Sequence, residues 1–215
     1  MADIFHSTNK NVTVASINTQ GLKSNADYIL NNIIKSNDII FICEHWLSTA
    51  EKHIIENNCN SHNLHFSSAE KQPSGRPFGG NCFLIRKEMD KNPKIIHEDH
   101  NILAIKLPEL NLLLIGIYLT CYHDGTSAEK YTSQLNKLTA IIEMNIDESE
   151  IIIVGDYQTF PSDLYDNTPR NNIKRNPLSP LLRDFVTENE LQLVDITHGS
   201  GPIQTYDHKT LTNSS

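Results

Sequence analysis

The stretch that decides the fold is residues 151–161, IIIVGDYQTFP. Its first four residues are apolar and mostly β-branched, which is typical of a strand buried on both faces of a sheet. The apolar run stops at Gly155, and the next residue is Asp156. A carboxylate is therefore expected at the end of a central strand, facing a loop, where enzymes often keep a catalytic group. The alternative is that the Gly-Asp pair simply makes a turn after the strand.

Length and composition limit the class of protein. A chain of 215 residues with 38% hydrophobic and 20% charged residues is long enough and apolar enough for one globular domain. It contains no uninterrupted apolar run of about 18 residues, which excludes a membrane span. The N-terminus has no secretory pattern, so we expect an intracellular protein, cytoplasmic or nuclear. The 4 cysteines are scattered without a CxxC pair, which favours buried free thiols over a zinc site.

The charge balance is acidic, with a net charge of -8 and a pI near 5.6. This argues against tight, non-specific adhesion to nucleic acid over the whole surface. It does not exclude an enzyme that acts on nucleic acid, because a local basic patch and a metal ion can supply the attraction.

The hydropathy pattern predicts alternating strands and helices. Strands are predicted over residues 11–17, 39–43, 81–86, 94–97, 102–107, 112–119, 151–154, 191–196 and 203–206. Helices are predicted over residues 26–36, 49–58 and 131–144, and from residue 179. Because there are no internal repeats and no low-complexity linker, we predict a single α/β domain over residues 1–215, with sandwiched sheets and helices outside.

Polar side chains stand at or just beyond the ends of several predicted strands. They are Asn18, Glu44, Tyr118 and Asp156, and Gln158 follows two residues after the last. One carboxylate at a strand end is unremarkable, but two amides, two carboxylates and a phenol are hard to explain by chance. Tyr118 alone could be an ordinary packed tyrosine, because strands favour aromatic residues.

If these strand ends converge, they form a site suited to phosphoester chemistry. Glu44 would bind Mg²⁺ or Mn²⁺, hard cations that take oxygen ligands, and Asp156 would accept a proton from the attacking water or orient it. Asn18 and Gln158 would hold that carboxylate and the phosphate by hydrogen bonds. The Tyr118 hydroxyl would donate to a phosphate oxygen as charge builds on it.

Six stretches of the sequence resemble the endonuclease/exonuclease/phosphatase superfamily, and more narrowly the apurinic-like endonuclease domain of non-LTR (LINE-type) retrotransposons. In chain order they are ASINTQGL, IIFICEHWL, GRPFGGNCFLIRK, LIGIYLTCY, IIIVGDYQTFP, and LQLVDI followed by QTYDH. The resemblance implies a four-layer α/β sandwich of two mixed β-sheets, a divalent metal and cleavage of phosphodiester bonds. It carries over Asn18, Glu44, Tyr118 and Asp156 as site residues.

The chain departs from the family pattern in two places. The family usually has asparagine where this chain has Gln158, whose amide sits on a longer arm and whose misplacement by about 1 Å can be costly. The family also continues past a Thr-Tyr or Thr-Trp motif, like Thr205-Tyr206, into Ser-x-Ile-Asp-His. Here the sequence stops at Ser215, near where that motif should begin, so we expect the final strands to be missing and the nuclease to be weak or inactive.

The resemblance also implies substrate and partners. Duplex DNA is the expected substrate, with Thr205 among the substrate-binding residues and a reverse transcriptase domain in the parent element. The loop cluster Arg170, Lys174 and Arg175 suits a phosphate backbone, although such clusters are often only a solvated loop. Two readings remain open beside the DNA-nicking enzyme: a catalytically dead relic that binds nucleic acid or protein, and, more weakly, a phosphatase or sphingomyelinase of the same superfamily.

Overall fold

The computed structural model of the chain describes residues 12–24, 26–71, 74–159 and 176–194. None of the helices within these ranges combines the length and the apolar composition that a bilayer crossing requires. The chain divides into two compact units, Met1–Tyr118 with Glu143–Asp156, and Leu119–Ile142 with Tyr157–Ser215. The single-domain organisation stays a prediction.

The first unit contains two mixed four-stranded sheets. The first sheet has the order β1-β2-β4-β3, formed by Val14–Asn18, Ile39–Cys43, Asn81–Arg86 and His62–Ser67, and β1 runs parallel to β2. The second has the order β5-β6-β7-β8, formed by Lys94–Glu98, Ile102–Leu107, Leu112–Tyr118 and Glu150–Asp156, and β7 runs parallel to β8. The α/β fold class with two mixed sheets is confirmed.

The core follows the two-residue period of the strands, because alternate side chains point to opposite faces of a sheet. One face of β2, with Ile39, Phe41 and Cys43, packs against residues of β6 and β7 in a core between the two sheets. The other face, with Ile40 and Ile42, packs against helical residues on the outer side of the first sheet. Every side chain of β2 is therefore buried, which explains its uninterrupted apolar run.

Helices of the first unit are short. They are α1 (Ala26–Tyr28), a π-helical turn (Ile29–Ile33), α2 (Ile34–Ser36), a 3₁₀ turn (Thr49–Glu51) and α3 (His53–Glu56). Further 3₁₀ turns span Leu22–Ser24 and Pro108–Leu110. A capping box explains why a helical segment starts at Ser48: Glu51 accepts hydrogen bonds from the Ser48 backbone N–H and hydroxyl.

The second unit contains α4 (Gly125–Glu143), the longest helix among the described residues, and α5 (Ser179–Glu188). Asp124 receives hydrogen bonds from the backbone N–H and the hydroxyl of Ser127, which fixes the start of α4 six residues before the predicted start at Tyr131. The Asn189 amide at the end of α5 donates to Thr139 of α4 at 3.2 Å.

Two further differences between the sequence-based assignments and the structure concern strands. The predicted strand over residues 191–196 is wrong for residues 191–194, which form no strand; Glu190 has a left-handed backbone (φ 52°) and Leu191 donates to the Val186 carbonyl, so this segment closes α5 instead. Strand β3 was not predicted, because Leu64 and Phe66 are its only large apolar residues. It lies at a sheet edge, where one apolar face is enough.

Candidate active site at four strand ends

Two pairs of parallel strands end at the site. Asn18, the last residue of β1, lies opposite Cys43, the last residue of β2, so Glu44 follows directly beyond that edge. In the other sheet Tyr118 and Asp156 lie opposite each other as the last residues of β7 and β8. Because parallel strands present their carboxyl ends at the same edge, each sheet contributes neighbouring polar side chains.

The Asn18 side chain joins the two sheets. Its amide nitrogen donates to Glu44 Oε1 at 2.9 Å and to Asp156 Oδ2 at 3.0 Å. Its amide oxygen accepts from the Gln20 backbone N–H at 3.1 Å, which fixes the orientation of the amide. Two carboxylates thus share one neutral donor, an arrangement that holds them in place without neutralising them.

Glu44 is held by its backbone in an uncommon conformation. Its φ is 53°, in the left-handed region, and its carbonyl accepts from the Gly21 N–H at 2.8 Å and from the Thr19 hydroxyl at 3.0 Å. A non-glycine residue persists there only when its surroundings require it. Among the described residues, no lysine, arginine or histidine forms an ion pair with the Glu44 carboxylate.

Gly155 explains how Asp156 reaches the site. Its φ is +138°, and a Cβ atom placed there would lie 2.0 Å from the Ile117 carbonyl oxygen of the adjacent strand. Only glycine allows β8 to pass this close to β7. The glycine is therefore part of the strand, which continues through Asp156.

The Tyr118 side chain is partly buried near the Glu44 carboxylate. Burial, followed by the interaction with Glu44, raises the pKa of Tyr118 well above its usual value. The phenol is therefore a protonated donor at neutral pH. Asn101, which the sequence did not single out, holds the Tyr118 backbone on both sides: its amide donates to the Tyr118 carbonyl at 2.7 Å, and its carbonyl accepts from the Tyr118 N–H at 2.8 Å.

Two other buried groups adjoin Glu44. Burial, and then the negative charges of Asp156 and Glu44, raise the pKa of the Cys43 thiol well above its usual value, so it is not a ready nucleophile. His45 is fully buried, and burial lowers its pKa to about 4, so the ring is neutral at pH 7. Its Nδ1 accepts a hydrogen bond from the Leu47 backbone N–H at 3.0 Å, and its Nε2 lies 3.1 Å from the Ser67 carbonyl oxygen. The ring therefore anchors the segment that carries Glu44.

The structure thus brings together Asn18, Glu44, Tyr118 and Asp156. Gln158 belongs to the second compact unit, where its φ is 55° and its carbonyl accepts from the Asn176 amide at 2.7 Å. Thr205, Arg170, Lys174 and Arg175 lie outside the described residues, and so do the predicted strand over residues 203–206 and the end of the chain.

The donor set fits a divalent cation of the Mg²⁺ type. Within the described part of the chain, no group of three or more histidine, cysteine, aspartate and glutamate side chains is arranged as a metal site. Mg²⁺ uses one or two carboxylates and keeps several waters or phosphate oxygens. Glu44 and Asp156, both bonded to the Asn18 amide, provide such carboxylates.

Comparison with solved structures identifies the fold. The chain is similar to a 3'-5' exonuclease (NExo) from Neisseria meningitidis, with a TM-score of 0.69 and 13% identity over 93% of this chain and 79% of that one. It is also similar to a Neisseria 3' phosphatase NExo bound to a product DNA hairpin, with a TM-score of 0.62 and 12% identity over 83% and 68% of the two chains.

An AP endonuclease from Archaeoglobus fulgidus matches with a TM-score of 0.59 and 14% identity, over 83% of this chain and 70% of that chain. No protein-family model matches the sequence, and no curated protein matches it either. At these identities the likeness concerns the fold alone: the chain has the fold of exonuclease, endonuclease and phosphatase proteins.

Proposed function

We propose that this chain is a divalent-metal-dependent phosphodiester hydrolase that acts on DNA. The observation that carries the proposal is the Asn18 amide, which donates to Glu44 and Asp156 at 2.9 and 3.0 Å and so unites carboxylates from two different sheets. The fold adds support, because solved structures that share it include an exonuclease, an AP endonuclease and a 3' phosphatase bound to DNA.

Each side chain of the site then has a distinct task. Glu44, assisted by its neighbours, would hold Mg²⁺ or Mn²⁺, and the ion would neutralise charge on the phosphate and on the leaving oxygen. Asp156 would orient the attacking water and accept its proton. Asn18 keeps both carboxylates in position. The Tyr118 hydroxyl, which stays protonated, would donate to a phosphate oxygen as negative charge develops.

More narrowly, we propose a DNA-nicking endonuclease of the LINE-type retrotransposon kind, with a reverse transcriptase as the partner in its parent element. The support is the ordered set of sequence motifs, from ASINTQGL to the QTYDH stretch. Gln158 is proposed as a further catalytic residue, and Thr205, with the basic residues Arg170, Lys174 and Arg175, is proposed to contact the substrate.

Nicking of supercoiled plasmid tests the proposal. The chain should nick DNA only weakly in the presence of Mg²⁺ or Mn²⁺ and not with EDTA, and Asp156→Asn should reduce the rate at least about 100-fold, the scale of one lost catalytic group. Asp147→Asn is the matched control, because it removes the same charge from an exposed turn. A nicking rate in Asp156→Asn equal to that of the wild type would contradict the proposal. DNA binding that needs no metal, without any nicking, would favour a binding module.

A further inference from the structure

A second feature involves the segment that carries Glu44 and has no part in the chemistry proposed above. The guanidinium carbon of Arg76 lies 4.0 Å from the centroid of the Trp46 ring. Trp46 follows Glu44 by two residues, and Arg76 belongs to the segment that leads into β4. We call this pair the Arg76–Trp46 stack.

The backbone around Trp46 is arranged to place the indole. Trp46 has a φ of 56°, so Glu44 and Trp46 both adopt the left-handed conformation on either side of His45. The backbone N–H of Trp46 donates a hydrogen bond to the Gly79 carbonyl at 3.2 Å. A Cβ atom at Gly21 would lie 2.5 Å from the indole, so the ring rests directly on the backbone of that turn. Strain of this kind, held by its surroundings, concentrates at functional positions.

The exposure of successive side chains shows how the segment is oriented. His45 is fully buried, whereas Glu44 and Trp46 on either side of it are partly exposed. The His45 ring stacks on Phe66 with centroids 4.6 Å apart, and a Cβ atom at Gly80 would lie 2.4 Å from it. One buried ring thus anchors a segment that presents a carboxylate and an indole to solvent.

Arg76 is an exposed cation that no carboxylate neutralises within the described residues. Stacking on an aromatic face restricts the guanidinium without using its N–H donors. A planar, pre-oriented guanidinium matches the oxygens of a phosphate group in a two-pronged contact. In a chain of net charge -8, such a cation, stacked on the residue two positions after Glu44, is a local attraction for an anion.

We propose that the Arg76–Trp46 stack binds a backbone phosphate of the DNA substrate and thereby positions the strand next to Glu44. This inference rests on the proposed function, since it names a substrate contact of the same site. The indole holds the guanidinium, and the guanidinium contacts the phosphate, so Arg76 binds substrate and Trp46 positions Arg76.

The test measures DNA affinity without cleavage. Trp46 is the 1 tryptophan of the chain, so its fluorescence reports directly on the stack while a short DNA duplex is titrated in EDTA. The emission should change on binding in the wild type. Arg76→Ala should raise the Kd about tenfold at low salt and lower the slope of log K against log salt by about one, the value for one lost phosphate contact.

Two further variants separate charge from geometry. Arg76→Lys keeps the positive charge but loses the planar guanidinium with its paired N–H donors. It should therefore keep the salt slope of the wild type and give a Kd between those of the wild type and Arg76→Ala. Lys94→Ala removes one exposed positive charge from β5 and should change the Kd by less than about twofold. Fluorescence anisotropy of a labelled duplex measures the same Kd in Trp46→Ala, which should resemble Arg76→Ala.

A Kd and salt slope in Arg76→Ala that match those of Lys94→Ala would overturn the inference. The plasmid assay keeps this outcome apart from failure of the proposed function. Asp156-dependent nicking with an unchanged Kd in Arg76→Ala would reject the phosphate contact alone. Arg76-dependent binding without any nicking would reject the hydrolase and leave the phosphate contact in place.

Discussion

Strand β2 has an acidic residue just before it and another just after it, and the two carboxylates have different kinds of hydrogen-bond partners. Asp38 precedes the strand and accepts hydrogen bonds from the Thr13 backbone N–H and hydroxyl, both at 3.0 Å, and from Arg86 Nε at 2.6 Å. Glu44 follows the strand and accepts a hydrogen bond from the neutral amide of Asn18 at 2.9 Å.

The difference separates a structural carboxylate from a candidate functional one. At Asp38 a cation neutralises the charge within the fold, which stabilises the end of the sheet. At Glu44 a neutral amide orients the carboxylate but leaves its charge available, and the ion pairs of the described residues include none with Glu44. Four predictions test whether these two ends of β2 have separate roles.

The largest expected effect is on turnover. Glu44→Gln should reduce metal-dependent nicking by on the order of 10²–10³, because a preorganised charge at the reacting phosphate is lost. Asp38→Asn should keep the nicking rate per folded molecule. Rates on supercoiled plasmid, corrected for the folded fraction by circular dichroism, measure both. A similar loss of rate in the two variants would mean that the comparison does not separate function from structure.

The next effect is on stability. Arg86→Ala should lower the free energy of unfolding by about 2 kcal/mol, because it leaves the Asp38 carboxylate without its cation in a partly buried position. The two side chains are 25% and 13% exposed, so solvent offsets part of the loss. Urea denaturation measures the change, with Lys94→Ala as the exposed control. Equal midpoints for the two variants would show that the Asp38–Arg86 pair contributes nothing.

A smaller effect should come from metal binding to the folded chain. Adding Mg²⁺ at about ten times its dissociation constant should raise the free energy of unfolding by about 1.4 kcal/mol, by mass action on the native state. The shift in melting temperature should disappear in Glu44→Gln and persist in Asp38→Asn. A shift that survives in Glu44→Gln would place the ion elsewhere.

The sequence predicted most strands and missed the elements that depend on distant partners. The expectation that residues 151–154 form a central strand buried on both faces is wrong for the described residues, where β8 lies at the edge of its sheet and is half-buried. The run IIFIC gives β2 with its bounds, because each of its residues is buried. The site residues at strand ends could be found because a polar residue interrupts an apolar run. Strand β3 escaped prediction because its polar side chains find partners in distant segments, such as Asp90 for His65 at 2.8 Å and the Asp99 carbonyl for Ser67 at 3.1 Å, which the local pattern does not reveal.

The residues that hold the site side chains in position could not be predicted from local sequence patterns. Asn101 lies 17 residues from Tyr118 in sequence and meets it only through pairing of β6 with β7. The role of His45 depends on the Ser67 carbonyl, which comes from another strand. The left-handed backbone of Glu44 and Trp46 follows from contacts with two other loops, at Gly21 and Gly79. Only the assembled fold brings these partners together.

The smallest effect concerns pH. The hydrogen bond from the Thr13 backbone, together with the Thr13 hydroxyl and Arg86, holds the pKa of Asp38 below its usual value of 3.8. A carboxylate whose folded pKa is lowered stabilises the native state above the unfolded pKa, and this stabilisation is lost as the pH falls through the folded pKa. The difference in melting temperature between wild type and Asp38→Asn should therefore be constant from about pH 7 to 5 and shrink below 3.8. Glu51, whose pKa is lowered to about 2 mainly by Lys23, contributes equally to both proteins and cancels in the difference. A difference that stays constant down to about pH 3 would show that the Asp38 charge is not what stabilises this end of the sheet.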